Sequence, residues 1–133
     1  MVVDAAYHLH REIGPGLLES VYEIVLAKLL HDRGFSVVRQ RSVPIEFAGC
    51  RFDEGFRIDL LVEENLLVEL KSVEQLAAGH YKQVLTYLRL MHLPVGLLIK
   101  FGTPLFKDGV KRIVNDHHSF VSSRLRVNQK PGQ

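Results

Sequence analysis

Three side chains of complementary chemistry lie close together along the chain: Asp59, Glu69 and Lys71. Asp59 interrupts the apolar run Arg57-Ile58-Asp59-Leu60-Leu61-Val62, and Glu69 and Lys71 alternate with apolar residues in Leu66-Leu67-Val68-Glu69-Leu70-Lys71-Ser72. Strand side chains alternate between faces, so Glu69 and Lys71 point the same way. A charge in mid-sheet is costly unless something pairs with it. A glutamate–lysine pair on a solvated face accounts for Glu69 and Lys71 but leaves Asp59, a second acid in a hairpin partner, unexplained. Two carboxylates and a lysine suit phosphodiester cleavage. The acids hold a hard divalent cation through oxygen, with a strand carbonyl and waters completing an octahedron. The cation polarises the phosphate and lowers the pKa of a bound water. The lysine neutralises charge developing on the phosphate. Alone, an Asp, nine residues, then Glu-x-Lys is a pattern that chance often produces.

The hairpin register decides whether the acids meet. A two-residue turn at Glu64-Asn65 sets Asp59 opposite Leu70, on the wrong face. A three-residue loop, Glu63-Glu64-Asn65, sets it opposite Glu69 on the same face, with Asn65 suited to a left-handed conformation.

The elements that must position these groups follow from periodicity. Val2, Ala5, Ala6, Leu9 and Ile13 predict an amphipathic helix over Val2–Ile13, broken by Gly14-Pro15-Gly16. A longer helix is expected over Leu17–Arg33, with Gly34 as its left-handed C-terminal cap. Phe35–Gln40 and Val43–Phe47 read as two strands, and Arg57–Val62 and Leu66–Ser72 as two more. A helix near Ala77–His92 carries the stripe Tyr81, Val84, Leu85, Leu88 and Met91 and is stopped by Pro94. The apolar Val95–Phe101 reads as a buried central strand and Val110–Val114 as a short edge strand. Thr103–Gly109 reads as a turn region, and little fixed structure is expected from Asp116 onward. The result is an α/β fold, a mixed central sheet flanked by helices.

Composition narrows the class. With 133 residues, 47% hydrophobic and 24% charged, the chain has core for one globular domain and is not disordered. No apolar run spans a bilayer and no secretion signal opens the chain, so neither membrane nor export is expected. The single Cys50 rules out an internal disulfide and thiolate zinc sites, and fits a reducing cytoplasm. Residues 1–110 carry 12 basic and 14 acidic side chains, while residues 111–133 carry five basic against Asp116 alone. A basic tail suits a polyanion, though a solvated terminus explains it as well.

Asp59…Glu69-Leu70-Lys71 resembles the active-site motif of the PD-(D/E)xK nuclease superfamily, with Ile58 where the eponymous proline stands. Gly16-Leu17-Leu18-Glu19-Ser20-Val21-Tyr22 is similar, letter for letter, to the motif of its small GxxExxY branch. Gln83-Val84-Leu85-Thr86-Tyr87 also resembles the Q-x-x-x-Y element of RecB-like nucleases. The resemblance runs from about Val3 to Val114. It implies a restriction-endonuclease-like core over residues 1–115 and a basic C-terminal tail over 116–133. It also implies Mg²⁺ or Mn²⁺ held by Asp59, Glu69 and the Leu70 carbonyl, with Lys71 as catalytic lysine and Glu19, Gln83 and Tyr87 in support. Gln83, Tyr87 and His80 share a helix face expected to be distinct from the apolar stripe. Structural roles compete for each: core packing for Tyr22 and Tyr87, helix-dipole complementation for Glu19, an exposed surface for Gln83. His80 reads as a structural neighbour, and His8, His10, His117 and His118 as weaker still. The expected substrate is nucleic acid, DNA ahead of RNA, with a homodimer or a specificity-providing protein as the expected partner. The rival reading is a catalytically silent module that uses the same fold for binding.

Overall fold

The computed structural model of the chain describes residues 2–104, 106 and 109–116. Among the described residues three helices and five strands run in the order α1 (Val2–Ile13), α2 (Glu19–Asp32), β1 (Val37–Phe47), β2 (Cys50–Val62), β3 (Leu66–Lys71), α3 (Ala78–Met91), β4 (Val95–Lys100) and β5 (Val110–Val114). The strands form one sheet in the order β1-β2-β3-β4-β5. Neighbours pair antiparallel except β3 and β4, which are parallel and joined by the α3 crossover. This is the mixed, helix-flanked α/β architecture expected.

Each face of the sheet carries its own core. Val2, Ala5, Ala6 and Leu9 of α1 and Tyr22, Leu26 and Leu30 of α2 pack with Leu60, Val62, Val68, Leu70 and Ile99. On the other side Val84 and Leu88 of α3 pack with Val43, Ile58, Leu61, Leu67 and Leu98. The central strands are therefore buried on both faces, which is why β3 and β4 read as near-continuous apolar runs. At the end of α2, Gly34 (φ +94°) donates to His31 C=O and Phe35 donates to Leu30 C=O. That is a Schellman cap, and its left-handed residue favours glycine.

Several expectations are corrected. The helix expected from Leu17 begins at Glu19, and Leu18 is 73% exposed. The two strands expected at Phe35–Gln40 and Val43–Phe47 are one strand, β1, with a register shift between Val43 and Ile45. The strand expected from Arg57 begins at Cys50, across a tight turn at Ala48 and Gly49. Gly55 hid that extension, because a lone glycine reads as a break. Here it sits against Ile45, whose side chain fills the space an added Cβ would need. Tyr81, Tyr87 and Met91 all lean on the same core, so the Tyr87 side of α3 is not distinct from its apolar stripe. Residues 117–133, with His117, His118 and most of the basic tail, lie outside the described residues, as do Leu105, Lys107 and Asp108.

Candidate active site

β2 and β3 form a fork. They pair at Val62↔Leu66, Leu61↔Leu67 and Leu60↔Val68, around the three-residue loop Glu63-Glu64-Asn65. The left-handed residues in that loop are Glu63 (φ +54°) and Glu64 (φ +57°), not Asn65. Asn65 N–H closes on Val62 C=O, as in a type I′ turn, and Glu63 is held by Ser36 through both its amide and its carboxylate. Beyond Leu60 and Val68 the side chains replace the ladder. Asp59 N–H donates to Glu69 Oε2 at 2.7 Å, and Leu70 N–H donates to Asp59 Oδ2 at 2.8 Å.

Simple alternation does not describe how the acids meet. Leu60 packs on the α1–α2 side and Ile58 on the α3 side, although residues two apart in a regular strand share a face. The side-chain pattern thus reverses at Asp59. The acids meet across the opening of the fork rather than on one flat sheet face.

Burial makes this pair tense. Glu69 is 4% exposed, and its carboxyl pKa is pushed up to about 8, first by burial and then by the Asp59 charge. Asp59 is also raised, first by burial and then by Glu23; the Leu70 N–H and Lys71 oppose the rise. Lys71, at the end of β3, favours the charged form of both acids but does not offset their burial. With its pKa near 8 the Glu69 carboxyl keeps its proton at neutral pH, and a cation bound there would have to displace it.

The segment Gly16–Tyr22 fastens the start of α2 to this site. Glu19 Oε2 accepts from Ser72 N–H at 3.1 Å, and Ser72 Oγ donates to Leu17 C=O at 2.6 Å. Ser72 directly follows Lys71, so the end of the lysine-bearing strand is stapled to the helix. Tyr22 folds back to donate to Gly14 C=O at 2.6 Å and accepts from Leu17 N–H at 3.3 Å. Its ring is buried and stacks on Phe101, 4.2 Å between centroids. The glutamate and tyrosine of the segment therefore have structural work that explains their spacing. A cleft of about 710 Å³, lined by Leu17, Leu18, Glu19, Ser72, Glu74 and Gly102, runs beside this staple.

α3 contributes from the other side. Tyr87 stacks on Phe56 with centroids 4.0 Å apart. Its hydroxyl pKa is raised by burial, then by Glu69 and Asp59, against a hydrogen bond with Gln83. Gln83 Oε1 is buried and has no hydrogen-bond partner among the described residues. His80 Nδ1 accepts from Ala77 N–H at 3.0 Å and so closes the start of α3. His10 is buried, bonded to Thr103 C=O and packed on Phe106, a core residue away from the acids.

Two residues at the site were not anticipated, Glu23 and Gln40. Glu23 is buried on α2 and accepts from Arg39 Nε at 3.0 Å and Gln40 Nε2 at 2.6 Å. Gln40 Nε2 also lies 3.4 Å from Asp59 Oδ1. Glu23 follows Glu19 by four on one helix face, which is a signal; Gln40 has none, because only the β1–β2 register brings it to Asp59.

The donor set fits a hard divalent cation in chemistry. Each acid spends one oxygen on a backbone N–H; among the described residues, Asp59 Oδ1 has only the long Gln40 contact and Glu69 Oε1 no hydrogen bond. Among the described residues no group of three or more His, Cys, Asp or Glu side chains is arranged to hold a metal, so backbone or water must complete the shell.

A mixed sheet with a forked central hairpin, two acids at the fork and a lysine two residues on defines a nuclease-like class of α/β protein. A family model of the PD-(D/E)XK nuclease superfamily matches residues 1–113, and the chain belongs to that superfamily. Neither the curated proteins nor the solved structures contain a significant match. Among the described residues no helix is long and apolar enough to cross a membrane.

Proposed function

We propose that the protein hydrolyses phosphodiester bonds of nucleic acid, DNA ahead of RNA, as a GxxExxY-type nuclease dependent on Mg²⁺ or Mn²⁺. The observation that carries this reading is the cross-bonded Asp59–Glu69 pair, with Glu69 buried and each acid keeping one oxygen off the backbone. Asp59 and Glu69, with the Leu70 carbonyl, would hold the cation. When bound, it supplies Lewis acidity to the phosphate and the attacking water. Lys71 sets its ammonium against the charge that grows on the phosphate oxygens. Gln83 and Tyr87 hold the α3 side of the site, where the buried Gln83 Oε1 has room in its hydrogen bonding for a water. Glu19 holds the end of β3 through Ser72 rather than touching the reacting atoms.

Residues 1–115 are taken as the nuclease domain and 116–133 as a basic tail that grips phosphates. The exposed thiol of Cys50 suits a reducing cytoplasm. Base readout is assigned to a second copy or a specificity-providing protein, because so small a domain has little surface left for it. The test is cleavage of a mixed DNA and RNA panel with Mg²⁺ or Mn²⁺, parent against Lys71→Ala. Metal-dependent cleavage lost in the variant supports the reading. Cleavage that survives in Lys71→Ala, or none by the parent on any substrate, overturns it.

A further inference from the structure

Gln40 is a strand residue in a conformation that strands do not use. Its φ is +51°, in the left-handed region that costs a non-glycine residue about 1 kcal/mol or more. Its neighbours pair regularly, Arg39 with Leu60 and Arg41 with Ile58, so Gln40 stands across from Asp59. The side-chain pattern of β2 reverses at that same Asp59. β1 reverses too: Val38 and Val43, five residues apart, pack on the α3 side. The two strands thus switch faces together at one cross-strand pair.

In this conformation the Gln40 side chain reaches a buried acid. Its Nε2 donates to Glu23 Oε1 at 2.6 Å, and Glu23, 4% exposed, is fixed from the other side by Arg39 Nε at 3.0 Å. The second hydrogen of the same amide is available to Asp59 Oδ1, 3.4 Å away. A neutral amide at that distance orients an oxygen without occupying it. A lysine or arginine there would pair with the carboxylate and compete with a cation.

We propose that Glu23 and Gln40 are positioning residues for Asp59, which hold its carboxylate so that Oδ2 stays on the Leu70 N–H and Oδ1 stays free for a ligand. The proposal rests on the nuclease reading only for what that ligand is. Gln40→Asn is the informative variant, since asparagine accepts the left-handed backbone but its amide is one methylene short of both acids. Gln40→Gly removes the strain altogether and guards against misfolding.

The readout is amide hydrogen exchange at Leu70, whose N–H bonds to Asp59 Oδ2. In both variants it should speed up about tenfold or more, which is the loss of about 1.4 kcal/mol of local protection, while Leu67 and Leu98 exchange as in the parent. Mn²⁺ affinity should fall several-fold in both. An unchanged Leu70 rate in Gln40→Gly and Gln40→Asn overturns the proposal whatever the metal does. A faster Leu70 in a parent background that binds no Mn²⁺ sustains the positioning role and removes the nuclease reading instead.

Discussion

The two ends of the β2–β3 hairpin are built from the same strands and have opposite characters. At the closed end, Leu60, Leu61 and Val62 pair with Val68, Leu67 and Leu66 through a regular ladder, with both faces covered by helices. At the forked end, Asp59 and Glu69 take the place of ladder bonds, each accepting a backbone N–H of the other strand. The first end contributes stability through apolar burial. The second gives stability away, because a buried Glu69 faces a half-buried Asp59 with only partial compensation from Lys71. Within one domain, the stable part of the sheet holds open a part that is unfavourable on its own.

The largest effect that separates the ends is on turnover. Lys71→Ala should reduce metal-dependent cleavage by about a hundred- to a thousandfold while leaving thermal stability near that of the parent. Leu67→Ala, at the closed end, should do the reverse. Leu67 is fully buried, so its truncation should cost about 2–5 kcal/mol in denaturant unfolding, with Mn²⁺ affinity of the folded protein unchanged. If Leu67→Ala weakened Mn²⁺ as much as an Asp59 variant does, the two ends would not be separable.

A smaller effect is the response to pH. The Glu69 pKa is about 8 in the folded protein against an ordinary 4.5, so between these values the folded state keeps a proton that the unfolded chain releases. Stability of the metal-free protein should therefore fall as pH rises through that window, by up to about 1.4 kcal/mol per unit, and level off above it. Glu69→Gln should remove this slope and be the more stable protein at pH 8. Urea unfolding at a series of pH values measures both. A parent whose stability rises over the window would mean that the fork is not tense.

Those expectations rest on features of unequal visibility in the sequence. α1 and β5 were legible to the residue, because their patterns are local: apolar spacing in Val2–Ile13, and a short run after a turn in Val110–Val114. Asp59, Glu69 and Lys71 were legible from their types within apolar strands, but the register of the fork was left between a two- and a three-residue loop, which only the pairing Val62↔Leu66 decides. The long β1–β2 hairpin was not, since Gly55 and Pro44 look like breaks until Ile45 and the register shift are seen together. The left-handed Glu63 and Glu64 were missed because Ser36, twenty-seven residues before Glu63, supplies the bonds that hold the turn. Gln40 was invisible for the same reason, and Glu23 had only its spacing of four from Glu19 to point to it. Their part depends on a helix, an edge strand and a central strand arriving at one point.

The most direct test of the forked end is a calorimetric titration of Mn²⁺ into the parent, Asp59→Asn and Glu69→Gln at pH 8, with thermal unfolding of the same samples. The parent should bind, with affinity rising as pH approaches 8 because the cation displaces the Glu69 proton. At a hundredfold excess over the dissociation constant, the folded parent should gain about 2.7 kcal/mol, and both variants should lose most of that gain. Binding that is undiminished in Asp59→Asn and Glu69→Gln, or a parent that binds no Mn²⁺ with or without DNA, would contradict the assignment of these acids to a shared cation.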